Sequence, residues 1–271
     1  PRDCAGGVFH VKRLAVANQK GGVGKTTTAI SLAAALAILE KKVLLVDFDP
    51  QGNTTGGLGV DKGTLEKTVY DWIVGNASWG EVARPTELAR LTLVPASREL
   101  VGAEIELVNV DEREFLLARK LDALEEDFDY VLVDCPPSLG LLTVNALTAV
   151  DGVVVPIQCE YYALEGVSEL VSTIERVREG LNPRLAIAGV VATMWDERLN
   201  LSRQVLDEIR RFFGESFVEP AVPRNVRLGE APSFGKPIFL YDVRSRGAEA
   251  YLAIARELLR RDLAGNDGGP P

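Results

Sequence analysis

Lys20-Gly21-Gly22-Val23-Gly24-Lys25-Thr26-Thr27 is the stretch that decides the fold of this chain. It follows an apolar run, Leu14 to Ala17, and passes directly into a helix-length pattern, Lys25 to Glu40, with small residues on every turn. Strand, glycine loop and helix in that order make a cradle for anions. The glycines let the backbone turn its N–H groups inward, and the helix N-terminus adds partial positive charge at the same point. In such a cradle Lys25 reaches the β and γ phosphates of a nucleotide, and the Thr26 hydroxyl is placed to bind Mg²⁺. Gly21, Gly22, Val23, Gly24 and Thr27 supply the rest of the phosphate contacts. With glycine at about 7% of ordinary usage, GGxGK[ST] arises by chance in a chain of this length with a probability on the order of 10⁻³.

Outward from the loop, Val43 to Val46, Tyr130 to Val133, Gly152 to Ile157 and Ala186 to Thr193 are nearly continuous apolar runs. Runs without alternation mark strands covered on both faces, as in a parallel sheet. Leu91 to Pro95 adds one more. Helix-length patterns alternate with them: Glu112 to Glu126, Leu141 to Ala149, Leu164 to Glu179, Leu201 to Phe213 and Ala248 to Leu263. The alternation predicts an α/β fold: a single-domain, doubly wound, mostly parallel sheet with helices on both faces, of the P-loop NTPase class. The domain is expected over residues 13–263, with 1–12 a flexible N-terminal extension and 264–271 a disordered tail. Residues 55–90, rich in Gly and Thr, give the weakest pattern.

Composition narrows the function classes. The chain has 271 residues, 46% hydrophobic and 25% charged, which is the balance of an ordinary globular domain. No apolar run reaches the ~18 residues of a membrane helix, and the first ten lack the apolar stretch of a secretory signal, so a cytoplasmic location is expected. Three cysteines, Cys4, Cys135 and Cys159, are widely spaced and form no CxxC pair, which points away from a disulfide framework or a zinc site. The single histidine, His10, removes most His-based catalysis. The net charge of −9 weighs against nucleic acid as a partner, but it is unevenly spread. Residues 184–261 hold 13 Lys/Arg against 10 Asp/Glu, or +3, leaving 17 against 29, or −12, for the remainder.

Two further stretches carry carboxylates to the expected loop. The second strand ends in Asp47-Phe48-Asp49-Pro50-Gln51-Gly52-Asn53, and Tyr130 to Val133 leads into Asp134-Cys135-Pro136-Pro137. Ligands of open α/β sheets bind beyond the carboxyl ends of the strands, so these aspartates should face the phosphates. Hydrolysis needs one group to position water and another to hold a metal that neutralises developing charge. Asp134 is the expected Mg²⁺ ligand, directly or through water, and Asp47 a structural or outer-shell metal group.

A usual phosphate loop begins with glycine five residues before Gly24, where this chain has Gln19, followed by Lys20. This KGGxGKT pattern resembles the deviant Walker A motif of the ParA/MinD family of ATPases. Three more stretches resemble the chromosomal ParA (Soj) branch: Asp47 to Asn53 (DxDPQGN), Gln158 to Leu164 (QCEYYAL) and Pro223 to Ile238 (PRNVRLGEAPSFGKPI). The resemblance implies an ATP- and Mg²⁺-using, cytoplasmic ATPase that dimerises as a nucleotide sandwich. It also implies non-specific binding of double-stranded DNA in the ATP state, with hydrolysis stimulated by a ParB-type partner, and thereby chromosome or plasmid segregation. It assigns Lys20 to the partner subunit's nucleotide, Asp49 to the attacking water, and Pro223, Arg224, Asn225 and Val226 to the adenine side. Arg198 and Arg227 match the family's DNA-phosphate contacts, with Arg203, Arg210, Arg211, Arg244 and Arg246 as possible extensions of the patch. A cluster-binding role for Cys135, as in the nitrogenase iron protein of the same superfamily, would need paired cysteines. Two rival functions share the chemistry. A MinD-like membrane-cycling ATPase would need a terminal amphipathic helix. An amide-forming metabolic ligase on the same fold would lack Lys20 and the PRNVRL stretch.

Overall fold

In the computed structural model, which describes residues 11–124, 126–161 and 163–266, seven strands form one sheet in the order β3-β4-β2-β5-β1-β6-β7. They are β1 (Lys12–Val16), β2 (Val43–Asp47), β3 (Arg84–Pro85), β4 (Leu91–Val94), β5 (Tyr130–Asp134), β6 (Gly152–Gln158) and β7 (Ala186–Thr193). All pairings are parallel except β3 with β4.

The pleat sorts each strand between two cores. Leu14 and Val16 of β1, Val43 and Leu45 of β2, and Tyr130 and Leu132 of β5 face one side. There they meet the helix Lys25–Ile38 and the helix Arg246–Asn266, through Ala29, Ala33 and Ala37 of the first and Tyr251, Ile254 and Leu258 of the second. The intervening Ala15, Leu44, Val46, Val131 and Val133 face the other side, under the helices Leu141–Thr148, Glu165–Gly180 and Asn200–Phe213. Side chains of period two on a sheet covered twice leave no polar face, which is why the runs read as continuous. Small residues on the first helix let it lie close to both the sheet and the last helix.

The strand and helix expectations hold with shifted ends in all but one case. Glu112 to Glu126, expected as one helix, is broken into a 3₁₀ turn, Arg113–Phe115, and a helix, Leu116–Asp122. Glu112 stands at φ 54°, and Asn145 from the neighbouring helix donates to the Arg113 carbonyl at 2.8 Å, a tertiary bond that sequence periodicity does not register. Residues 55–90 hold the short helices Val69–Val74 and Trp79–Val82 and the antiparallel edge strand β3. The last helix runs to Asn266, past the expected end at residue 263. Of the expected N-terminal extension 1–12, Lys12 already belongs to β1, and residues 264–266 of the expected tail continue the last helix; residues 1–10 and 267–271 lie outside the described residues.

Candidate active site

The sheet order sets β1 between β5 and β6, with β2 beyond β5, so chain segments leaving the carboxyl ends of β1, β2, β5 and β7 converge. They enclose a cavity of about 350 Å³ lined by Gly21, Gly22, Gly24, Lys25, Thr26, Thr27, Asp49, Gln51, Asn53, Pro137 and Met194. Gly24 caps the helix Lys25–Ile38 in the left-handed region, φ 89°, a conformation an L side chain resists. Val23 is buried, and its carbonyl accepts from the Thr193 hydroxyl at 2.8 Å, so only its main chain is left to face a ligand.

The cations of the loop are held differently. Lys25 is 8% exposed and donates from Nζ to the Lys20 carbonyl at 3.0 Å. Burial lowers its pKa, opposed by the nearby Asp134 and Asp49 carboxylates. Lys20 does not line the cavity; its main-chain N–H donates to Asn18 Oδ1 at 3.0 Å, and its side chain forms no ion pair among the described residues.

Asp49 lines the cavity and is 6% exposed, with Oδ1 accepting the Gln51 N–H at 2.9 Å. Asp47 and Asp134 are register partners at the ends of β2 and β5 and are both fully buried. Asp47 does not reach the cavity. Its Oδ2 accepts from the Thr55 N–H (2.7 Å) and hydroxyl (2.6 Å), and its Oδ1 from the Asp49 N–H (3.3 Å). Of the two roles open to Asp47, these bonds favour the structural one. Asp134 Oδ2 accepts from the Thr54 hydroxyl at 2.7 Å, whereas its Oδ1, also buried, has no hydrogen-bond partner among the described residues. Burial and then the charge of Asp47 push the Asp134 pKa up, against the Thr54 and Thr26 hydroxyls, which favour its ionised form. Asp134, like Asp47, does not line the cavity, but it lies near Lys25 and the Thr26 hydroxyl of the phosphate loop, and an orphaned carboxylate oxygen beside a threonine hydroxyl is an oxygen donor set that fits a hard divalent cation.

A second cavity of about 320 Å³ shares Gly24, Thr27 and Met194 with the first, so the two form one cleft. Its walls include Val222, Pro223, Arg224, Asn225, Val226, Leu228, Gly229 and Tyr251, mostly apolar and suited to a flat base. Met194 and Tyr251 were not foreseen. Met194 takes φ 52° where β7 ends, and Tyr251 hydrogen-bonds Thr28 of the loop helix at 2.9 Å. Neither carries a motif, so no sequence signal marks them. Cys135 and Cys159 are buried thiols with raised pKa values, Cys159 up to about 12, inert rather than reactive.

Of the predicted arginines, Arg224 lines this cleft and Arg227 follows directly on its wall. Trp195 bridges to Pro223, and the Arg224 N–H donates to the Trp195 carbonyl at 2.8 Å, which brings the segments of Arg198 and Arg227 together. Each arginine has its own carboxylate: Arg198 grips Asp196 at 2.9 and 2.7 Å, and Arg227 meets Glu230 at 2.9 Å and Asp242 at 3.5 Å. Arg224 pairs with Glu160, Arg246 with Glu197 and Arg210 with Glu219. Arg203 bonds Asn200, while Arg211 and Arg244 are exposed without an ion pair among the described residues.

Comparison with known proteins agrees with this geometry. The AAA_31 family, described as an AAA domain, matches residues 11–187. The chain is 55% identical over 249 residues to the chromosome partitioning protein ParA of Myxococcus xanthus, covering 92% of this chain and 88% of that one. It is 54% identical over 247 residues to the sporulation initiation inhibitor protein Soj of Bacillus subtilis, covering 91% and 98%. Among solved structures, one described as cobyrinic acid a,c-diamide synthase from Mycobacterium smegmatis, with ADP and magnesium bound, superposes with a TM-score of 0.84 at 40% identity, covering 94% of this chain and 97% of that one. The phosphate loop, the paired strand-end aspartates and these likenesses together place the chain in the ParA/MinD family of P-loop ATPases, in its chromosomal ParA/Soj branch.

Proposed function

We propose that this protein is a DNA-partitioning ATPase of the ParA/Soj type, with ATP and Mg²⁺ as its cofactors. The observation that carries the reading is a single cleft in which the loop Gly21–Thr27 faces Asp49, with the unpartnered oxygen of Asp134 buried behind it. In the reaction, the loop N–H groups and the Lys25 ammonium hold the β and γ phosphates in place. Asp49 accepts a hydrogen bond from the attacking water and aims it at the γ phosphorus. Thr26 and Asp134 hold the metal, which when bound neutralises charge developing on the phosphate oxygens. Lys20, turned out of its own cavity, reaches the nucleotide of a second copy in an ATP-dependent sandwich dimer. The apolar wall Pro223–Val226 and Met194 take the base. Because the same segments carry Arg227 and lead to Arg198, base binding and dimerisation array these arginines for duplex DNA, read through its phosphates without sequence preference. Turnover is slow until a ParB-type partner docks, and the ATP form associates with the nucleoid.

Two rivals bear on this reading. The last helix buries Ala248, Tyr251, Ile254 and Leu258 in the core, which supports a domain helix over a membrane-seeking one, and no helix among the described residues is long and apolar enough to cross a membrane. The description of the Mycobacterium structure favours an amide-forming ligase as the second reading. DNA retention and oligomer mass, measured with ADP, ATP and a non-hydrolysable analogue, test the proposal together with phosphate release in the absence of any small-molecule substrate. A dimer that holds DNA only with ATP or its analogue, and phosphate release that needs no added acid or amine, are expected. Release that depends on a carboxylate substrate, with no DNA retention in any nucleotide state, would move the protein to the ligases.

A further inference from the structure

The segment from Asp49 to Gly57 has the water-positioning carboxylate at one end and two adjacent, fully buried threonines at the other. Each threonine grips a different strand-end aspartate: Thr54 holds Asp134 at 2.7 Å, and Thr55 holds Asp47 at 2.7 and 2.6 Å. The two carboxylates differ in what they have left. Asp47 is closed inside the protein on both oxygens, while Asp134 has one oxygen pinned and the other buried without a partner among the described residues. A carboxylate pinned on one side and bare on the other is the arrangement of a metal ligand oriented by an outer hydrogen bond.

The segment is also braced along its length. The Thr55 hydroxyl accepts from the Ala96 N–H at 2.9 Å, and Lys62 Nζ donates to the Gln51 carbonyl at 2.8 Å. Gly52 stands at φ 61° with no room for a side chain, since a Cβ there would meet the Ala96 carbonyl oxygen at 2.9 Å. Close packing of this kind passes a displacement at one end to the other.

We propose that Thr54 is a positioning residue that turns the bare oxygen of Asp134 toward the nucleotide's metal and ties metal occupancy to the placement of the Asp49 loop. The inference rests on the reading of Asp134 and Thr26 as the metal-holding pair. Without the Thr54 hydroxyl, Asp134 is free to rotate about its terminal torsion, and the loop loses its tether to the metal site.

The test uses the full chain with ADP and titrates Mn²⁺ as a spin probe, alongside hydrogen exchange over residues 49–57 with and without Mn²⁺. Thr54→Val should weaken Mn²⁺ binding by about tenfold or more, the range for outer partners of metal ligands, and abolish the metal-dependent protection of the loop. Thr54→Ser, which keeps the hydroxyl, should preserve both, and it tests the claim even if Thr54→Val is poorly folded. Thr54→Val binding Mn²⁺ as wild type does, or Thr54→Ser failing as badly as Thr54→Val, overturns the proposal. Asp134→Asn separates the two levels: if it leaves Mn²⁺ affinity intact, the metal assignment itself falls, and the role of Thr54 falls with it.

Discussion

The phosphate cavity and the arginine edge are joined through Met194 and the 223–226 wall of the adjoining cavity, yet they are built in opposite ways. In the cavity Lys25 and Asp49 are 8% and 6% exposed, and Asp134 is fully buried, each fixed by main-chain or hydroxyl partners. At the edge the Arg198 side chain is 82% exposed and paired only with its neighbour in sequence, Asp196. A buried charge that loses its partner is left uncompensated in a poorly polarisable medium, whereas exposed ion pairs contribute little because water replaces either partner. The cavity therefore has one working arrangement, while the edge holds arginines that can exchange a carboxylate for a phosphate. Substitutions should act as switches in the first region and as graded changes in the second.

The largest effect is expected at Asp49. Asp49→Ala should bind ATP and accumulate as a DNA-bound dimer, while DNA- and partner-stimulated phosphate release falls by about 10²-fold or more. Nucleotide affinity and turnover measured on the same preparation check this. Near-normal turnover would end the assignment to Asp49. It would not pass the role to Asp47, whose oxygens are committed to Thr55 and the Asp49 N–H.

Next comes Lys20, whose side chain has no ion-pair partner within its own subunit among the described residues. In a sandwich dimer its ammonium meets phosphate out of water, and truncating one member of such a pair costs roughly 2 kcal/mol or more. Lys20→Ala should therefore retain nucleotide but stay monomeric with ATP in sedimentation at concentrations where the wild type is dimeric. An intact ATP dimer would make Lys20 a solvated loop residue and place it on the graded side of the comparison.

What could be read before folding follows the same division. The phosphate loop was legible because its chemistry is local: glycine torsions, a helix start and one lysine lie within eight residues. The six parallel strands were legible because coverage on both faces leaves an unbroken apolar run, whereas the two-residue edge strand β3, with no such run, was not. The division of labour between Asp47 and Asp134 was not, because both end apolar strands in the same way. It is decided by Thr54 and Thr55, and Thr54 lies 80 positions from the aspartate it holds. Met194 was invisible for a related reason: its place in the cleft depends on a positive φ at the end of β7, and nothing in its side chain demands one. The basic excess of residues 184–261 was visible, but which arginines pair with a carboxylate was not, since pairs such as Arg246 with Glu197 and Arg224 with Glu160 join distant segments.

The smallest effect expected, and the sharpest test of the edge, comes from removing the carboxylate rather than the arginine. Arg198 donates from Nε and Nη2 to the two oxygens of Asp196, and these bonds hold the Asp196 pKa down to about 2. A carboxylate whose folded pKa is depressed keeps its pair at all pH above the ordinary carboxylate range and loses it only as pH falls toward that value. Between about pH 5 and 8 the pair is therefore intact, and any effect of breaking it should be flat with pH across that window. Asp196→Asn keeps an oxygen to accept the Arg198 N–H, now bonded at 3.1 Å, so the turn survives while the competing charge goes. DNA affinity in the ATP state should rise a few-fold at low salt for unrelated duplexes alike. If the freed guanidinium gains a phosphate, the log–log salt slope should steepen by about 0.9 for each contact added. Arg198→Gln and Arg227→Gln should move the slope the other way with ATP-dependent dimerisation unchanged. If Asp196→Asn and Arg198→Gln shift the slope in the same direction, or neither shifts it, Arg198 touches no phosphate, and the exposed Arg211 and Arg244, without ion pairs among the described residues, become the residues to substitute next.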